Sequence, residues 1–210
     1  MFVIFEAIDK IYSKAKFKLF TTTNMLSTDI QYDNAITSAR EIFLKKTHDY
    51  GTAWRVLRTI SIVDQIFIKA QRIRTIQEKK QQKVVDDIAA EFKGILNYAV
   101  IGLMQLDLKP EDGEELAEET VAALYRQKTE AAKRLMEDKN HDYGEAWRSM
   151  SQESFVDLIL MKLQRIRQIL TNEGKTLMSE GIDANYYDII NYAVFALILM
   201  DERNDIFLLT

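Results

Sequence analysis

The chain has 210 residues, 47% hydrophobic and 29% charged, with a net charge of −4 and a pI near 5.4. That balance describes a globular protein with a core of its own and no overall attraction for nucleic acid. It contains no cysteine, which excludes disulfides, thiolate zinc sites and cysteine nucleophiles and fits a reducing, cytoplasmic setting.

One proline and seven glycines leave few helix breakers, so the sequence predicts long helices. No apolar run reaches the ~18 residues of a membrane span, so no membrane is expected as a partner. Residues 1–27 are an N-terminal extension. Its start, MFVIFEAIDKIYSKAKFKLF, is apolar but interrupted by Glu6 and Asp9. Without a basic n-region or a small-residue cleavage site it does not read as a signal peptide; it reads as an ordinary N-terminal helix packing on the body or, for residues 1–24, as an added helix or a misassigned start ahead of Met25.

The first repeat covers 28–108. A helix is predicted from about Thr28 to Lys46, and the phrase HDYGTAW, from His48 to Trp54, follows as a turn. A second helix is predicted from about Val56 to Lys79, where Val63, Ile66, Phe67, Ala70 and Ile73 keep the three-four spacing of one buried face. A third runs from about Val84 to Leu106 and ends in ILNYAVIGLMQL. Residues 109–114 carry Pro110 and Gly113 and read as a linker. The second repeat, 115–205, starts the series again. Helices are predicted from about Glu115 to Asp138, Glu153 to Thr171 and Ile182 to Asp201, with HDYGEAW from His141 to Trp147 after the first.

Shifted by 93 residues, Tyr32 falls on Tyr125, Lys46 on Lys139, HDYGTAWR on HDYGEAWR, Asp64 on Asp157, Lys69 on Lys162, and QRIR at 71–74 on QRIR at 164–167. One inserted residue later, NYAV at 97–100 falls on NYAV at 191–194. Matching blocks in the same order mark an internal duplication, and two copies are too few for a solenoid. Helices apolar all round are buried, so both third helices belong at the centre, near a pseudo-two-fold axis. No alternating strand pattern appears. The expected fold is all-α: a duplicated helical bundle with pseudo-two-fold symmetry, the two repeats packed as one unit.

Some residues break the apolar pattern. On a helical wheel Arg74 and Arg167 fall on the stripe of the second helices, Lys69 and Lys162 on its flank, and Arg72 and Arg165 point away. A guanidinium facing a core needs an anion, supplied by a structural carboxylate or by a ligand. Asn97 and Asn191 sit inside apolar runs and must be hydrogen-bonded, either to fix helix register or to hold a ligand. Tyr98 and Tyr192 read as core aromatics with bonded hydroxyls.

The two HDYG phrases contain both histidines and both tryptophans of the chain. Gly51 and Gly144 permit a turn that other residues resist. His48, Asp49, His141 and Asp142 can cap the next helix or bind a ligand. Trp54 and Trp147 can pack in a core or stack on a base. The phrase is therefore either a corner pinned by its aromatics or a ligand site. One histidine per copy makes a poor zinc site, and no phosphate-loop motif or Ser-His-Asp triad is found. Glu91 and Asp188 lie one turn apart once the copies are superposed. A Glu-x-x-Asp pair would set two carboxylates on one helical face, as magnesium needs. Yet the first copy has Gly94 where the second has Asp188, and the second has Asn185 where the first has Glu91. Asp86, Asp87 and Asp183 lie upstream, where they supplement such a site or belong to a solvated acidic face.

The series KxHDYGxAW, DxxxxKxQRIR and NYA resembles a family catalogued as a domain of unknown function, number 1599, also called nucleotide-modification-associated. The resemblance covers both copies, about residues 28–201. The family is in turn distantly similar to the all-α nucleoside triphosphate pyrophosphatases, the MazG and dimeric dUTPase group. That likeness implies a helical bundle, subunit pairing into a homo-oligomer, and magnesium held by Glu-x-x-Glu and Glu-x-x-Asp helices. Carried over, the second metal motif meets Glu91 and Asp188. The first has only the single acids Asp64 and Asp157. The four acids form either a composite site shared between the copies or a degenerate one.

Two functional readings compete. In the first, the ligand is a nucleotide or nucleoside. Lys46, Lys69, Lys139, Lys162, Arg72, Arg74, Arg165 and Arg167 hold phosphates. Trp54 or Trp147 stacks on the base, Tyr50 and Tyr143 bond phosphate or sugar, and His48, Asp49, His141, Asp142, Asn97 and Asn191 complete the shell. Asp64, Glu91, Asp157 and Asp188 hold a magnesium cofactor for a nucleoside triphosphate pyrophosphohydrolase of deoxynucleotide metabolism or modification. In the second, the protein is a non-catalytic helical module with a degenerate site. The residues alone leave the two level, and the family resemblance favours the first. Nucleic acid is a third and weaker partner: QEKKQQK at 77–83 is basic, but it has no equally basic counterpart in the second copy and reads as a solvated loop.

Overall fold

The scarcity of breakers is realised as six α-helices, with no strand, among the described residues of the computed structural model, 26–79, 87–174 and 180–208. They are α1 Thr28–Tyr50, α2 Thr59–Lys79, α3 Ile88–Asp107, α4 Glu118–Tyr143, α5 Gln152–Thr171 and α6 Ile182–Leu208. A short 3₁₀ turn follows the first helix of each copy, at Ala53–Val56 and Ala146–Ser149, and another, Pro110–Asp112, lies in the linker. Asp87 caps α3 by accepting from the Ala90 N–H at 2.6 Å, and Ser151 caps α5 by accepting from the Ser154 N–H at 3.3 Å. The expected N-terminal helix, Asp86 and the basic residues 80–83 lie outside the described residues.

The first helix of each copy outruns its expected end. It continues through His-Asp-Tyr and stops only at glycine, because nothing before that glycine interrupts the hydrogen-bond ladder. The HDY triplet is thus the last helical turn, and the chain reverses behind it.

From Tyr32 onward the chain forms one compact unit. Within it α2 packs on α3 and, as its twin, α5 on α6; α3 crosses α6, and α2 crosses α5. The third helices take the expected central place. Leu96, Ala99, Val100 and Leu103 of α3 and Ile190, Ala193, Val194 and Ala196 of α6 are all buried. The two approach closely at Gly102, where an added Cβ would lie 2.6 Å from the Tyr186 ring.

Two polar groups survive inside this apolar centre, each fully engaged. The Asn97 side-chain amide donates to the Ala39 carbonyl of α1 at 3.0 Å and accepts from the Tyr125 hydroxyl of α4 at 2.8 Å. Asn191 repeats the arrangement, donating to Ala132 at 3.1 Å and accepting from Tyr32 at 2.7 Å. Each asparagine therefore holds the first helix of its own repeat and the tyrosine of the other. Burial pushes both tyrosine hydroxyls well above the ordinary phenol range.

Removing one of these phenols leaves a buried amide oxygen without a donor. Tyr32→Phe or Tyr125→Phe is expected to cost about 1–3 kcal/mol in urea unfolding. Tyr186→Phe is the control: its hydroxyl is buried without a partner, so its loss is expected to be neutral or stabilising. The raised folded-state values also set a sign. The phenols ionise first in the unfolded chain, so stability holds below pH about 10 and falls above it, less steeply in Tyr32→Phe.

Candidate functional site

Behind each HDYG turn the end of the first helix, the 3₁₀ turn and the third helix leave a gap. Gly51 and Gly144 make the reversal with φ of +60°. At Gly144 ψ is −168°, a combination open only to glycine, and at Gly51 a Cβ would also lie 2.5 Å from the Glu115 carboxylate. The turns then carry Trp54 and Trp147 back toward the third helices.

The two turns are held differently. Buried Thr52 donates its N–H to Glu115 at 3.2 Å and its hydroxyl to the Glu114 carbonyl at 2.6 Å, and accepts from the Leu116 N–H at 3.0 Å. Arg55 donates to the Gly113 and Lys109 carbonyls at 3.0 and 2.9 Å. The segment between the repeats thus clamps the first turn. In the second copy Glu145 replaces Thr52 and pairs with Arg148. Arg148 also pairs with Glu202 of α6 at 2.6 Å and lies 4.4 Å above the Trp147 ring.

The first gap is a cleft of about 550 Å³ walled by Lys46, Tyr50, Trp54, Lys69, Glu91 and Lys93, with Asn97 also in its lining. The second, of about 140 Å³, is bounded by the equivalent Lys139, Tyr143, Trp147, Asn191 and Tyr192, together with Asp188 and Phe195. Trp147 is 7% exposed, and Phe195 stacks on it with centroids 4.2 Å apart and planes 6° from parallel. Its indole N–H donates to Asn140 at 3.2 Å. In the first copy Thr47 replaces Asn140 and donates its hydroxyl to the Phe43 carbonyl instead. The buried indole N–H of Trp54 has no acceptor.

Charge separates the two further. In the first cleft Glu91 takes Lys69 at 3.2 Å and also the Arg72 guanidinium. Lys46 and Lys93 have no carboxylate partner among the described residues, so three ammonium groups face one acid that is already shared. In the second, Asp188 bridges Lys139 at 2.6 Å and Lys162 at 2.5 Å. The Lys162 side chain is 7% exposed. Burial works against the protonated form of Lys139, but the bond to Asp188 and its charge outweigh it and leave the pKa raised. Burial and then the Asp188 charge raise the Tyr192 hydroxyl too.

The expected site residues divide accordingly. The His-Asp half of each phrase faces outward. His48, 76% exposed, meets Glu118 at 3.0 Å, and His141, 89% exposed, sits beside its neighbour Asp142 at 3.2 Å. Asp49 is exposed as well. The last turn of a helix points these residues away while Lys46 and Tyr50 line the cleft, so His48, Asp49, His141 and Asp142 are not brought to the pockets. Arg74 pairs with Asp157, and Arg167 with Asp64 at 2.8 Å while lying 4.5 Å above Phe67. These are reciprocal bonds between α2 and α5. Arg165 is exposed.

The four acids expected to hold magnesium do not converge. Asp64 and Asp157 lie at the α2–α5 contact, Glu91 in one pocket and Asp188 in the other, each already bonded to lysine or arginine. No three His, Asp or Glu side chains meet as a metal site among the described residues. A divalent ion needs several free oxygen ligands, and this donor set does not fit it. Sequence reasoning also missed Lys93, Phe195 and Asn140. The signal was present in the differences between the copies, at Lys93/Tyr187, Ile101/Phe195 and Thr47/Asn140, rather than in their identities.

Fold and pockets together describe an internally duplicated all-α protein with one tryptophan-walled, lysine-bearing pocket per repeat. The profile of the domain-of-unknown-function family described as nucleotide modification associated domain 1 matches residues 46–106 and 139–200. The chain belongs to that family and carries its domain twice, each match starting at the pocket lysine. No curated protein and no solved structure matches the chain.

The bridging acid gives this region a stability test. Asp188→Asn leaves buried Lys162 without its counter-charge and is expected to cost about 3 kcal/mol or more in thermal or urea unfolding. Arg74→Ala removes a half-exposed pair and is expected to cost under ~1 kcal/mol.

Proposed function

We propose that the cleft of the first repeat binds a nucleotide. The observation that carries this reading is the unbalanced charge beside a half-buried indole: Lys46, Lys69 and Lys93 against the shared Glu91, with Trp54 on the same wall. Ammonium groups at a partly buried wall favour an anion. A tryptophan face and a buried N–H without an acceptor favour a flat, heteroatom-bearing ring. Phosphate and base together satisfy both, and the family description points to nucleotides. Tyr50, exposed at the rim, is placed to reach the sugar or to lie over the bound ring.

Pyrophosphohydrolysis is the finer expectation, and the chain supplies little for it. Glu91 is the one acid in the cleft lining among the described residues, and it is engaged by two cations. The reading best supported is therefore binding rather than catalysis. The filled second pocket suits the scaffold reading for the second repeat alone.

The test is calorimetric titration of the full chain with nucleoside mono- and triphosphates, with and without magnesium, alongside assays for released phosphate and pyrophosphate. Binding is expected without added metal. Lys46→Ala is expected to weaken it about tenfold or more, as loss of one charge-assisted bond does, and Lys139→Ala to leave it unchanged. No detectable binding of any nucleotide would overturn the proposal. Magnesium-dependent release of pyrophosphate would replace it with the hydrolase.

A further inference from the structure

The two pockets share their walls and differ in their contents. Lys46 and Lys139, Lys69 and Lys162, Trp54 and Trp147, and Tyr98 and Tyr192 are equivalent pairs. In the second repeat the space between them is taken by two side chains of α6. The Asp188 carboxylate sits between Lys139 and Lys162 at 2.6 and 2.5 Å. The Phe195 ring lies flat on Trp147 at 4.2 Å and 6°. At the equivalent positions of α3 the first repeat has Gly94 and Ile101, and its pocket is about 550 Å³ against about 140 Å³. The Lys69 side chain runs over Gly94, 2.9 Å from where a Cβ would be. It crosses the space that the Asp188 side chain fills in the other copy.

We propose that the second repeat is closed by its own residues, with Asp188 and Phe195 standing where a ligand's anion and ring would stand. The protein then binds one ligand per chain, in the first repeat: a planar ring on Trp54 joined to a single phosphoryl group held by Lys46 and Lys69. This rests on the nucleotide reading and narrows it to nucleoside monophosphates. One carboxylate saturates both lysines of the closed copy, and one phosphoryl group does the same in the open copy. Lys69 leaves Glu91 to Arg72, which already holds it, so the acid is not stranded when the ligand enters.

The proposal is tested by stoichiometry on the full chain, with two probes titrated calorimetrically: a set of nucleoside 5′-monophosphates, and phenyl phosphate as the smallest ring bearing one phosphoryl group. Wild type is expected to bind one equivalent. Gly94→Asp combined with Ile101→Phe copies the closed pocket into the first repeat and is expected to abolish binding while raising the melting temperature. Asp188→Gly combined with Phe195→Ile opens the second repeat and is expected to bind two equivalents. Should that variant not fold, the closing variant decides alone. Two equivalents in wild type, or unchanged binding in the closing variant, would overturn the proposal. One equivalent of phenyl phosphate, lost on closing, with no nucleotide bound would retain self-closure and overturn the nucleotide reading. Binding of neither probe would overturn both.

Discussion

The structure turns on a pair of buried amides. An asparagine in the middle of an all-apolar helix is tolerated only if each of its polar atoms finds a partner. Asn97 and Asn191 meet that demand with a carbonyl from their own repeat and a phenol from the other. The bonds set the height of α1 and α4 against α3 and α6, because a slip of one residue would turn an amide toward a hydrocarbon. They also put the next residues of α1 and α4 in place. Lys46 lies two turns beyond Ala39 and Lys139 two turns beyond Ala132, so the bond that fixes the helices also fixes one wall of each pocket. The cross-repeat direction of the phenols gives each half a reason to need the other, and the reciprocal Arg74–Asp157 and Arg167–Asp64 pairs repeat that dependence at the rim.

On this common frame the two pockets solve one electrostatic problem in two ways. A lysine leaning on an apolar helix surface must keep its charge compensated or lose it. The second repeat uses a carboxylate directly between its two lysines, which draws Lys162 into the interior. The first repeat uses Glu91, one turn earlier, which engages Lys69 from the side and leaves exposed Lys46 without a carboxylate partner among the described residues. An acid moved by one turn of helix, with Ile101 in place of Phe195, therefore changes a pocket filled by its own side chains into an open and more basic one between equivalent lysine and tryptophan walls.

Much of this was legible in the sequence, and the reason it was legible is periodicity. The three-four spacing of Val63, Ile66, Ala70 and Ile73 names the buried face of α2, and the unbroken apolar runs around NYAV name the central helices. What periodicity lacks is the partner. It put Arg74 and Arg167 on the stripe but could not say that the anion was an aspartate of the other repeat. It marked the HDYG phrase as special but could not say that histidine and aspartate still belong to the helix and face outward. The four acids expected to hold magnesium stay apart for the same reason. Glu91 and Asp188 share a face only when the copies are overlaid, and in the folded chain they belong to different pockets.

The placement of Glu91 is the last piece of the asymmetry. It lies in the first turn of α3, where the exposed N–H ends of a helix favour negative charge, so the acid is stabilised there by the backbone as well as by Lys69 and Arg72. A carboxylate at Gly94 would have had only side-chain cations to face and would have occupied the cleft. Holding the acid at the helix start keeps Lys69 oriented over Gly94 and leaves the volume beside Trp54 open. The clamp of Thr52 and Arg55 on residues 109–116 then keeps the Trp54 turn in position without a filling side chain such as Phe195 behind it. An open pocket in a small helical bundle needs outside support for its walls, and the segment joining the repeats supplies it to the first copy, whose turn is clamped in this way.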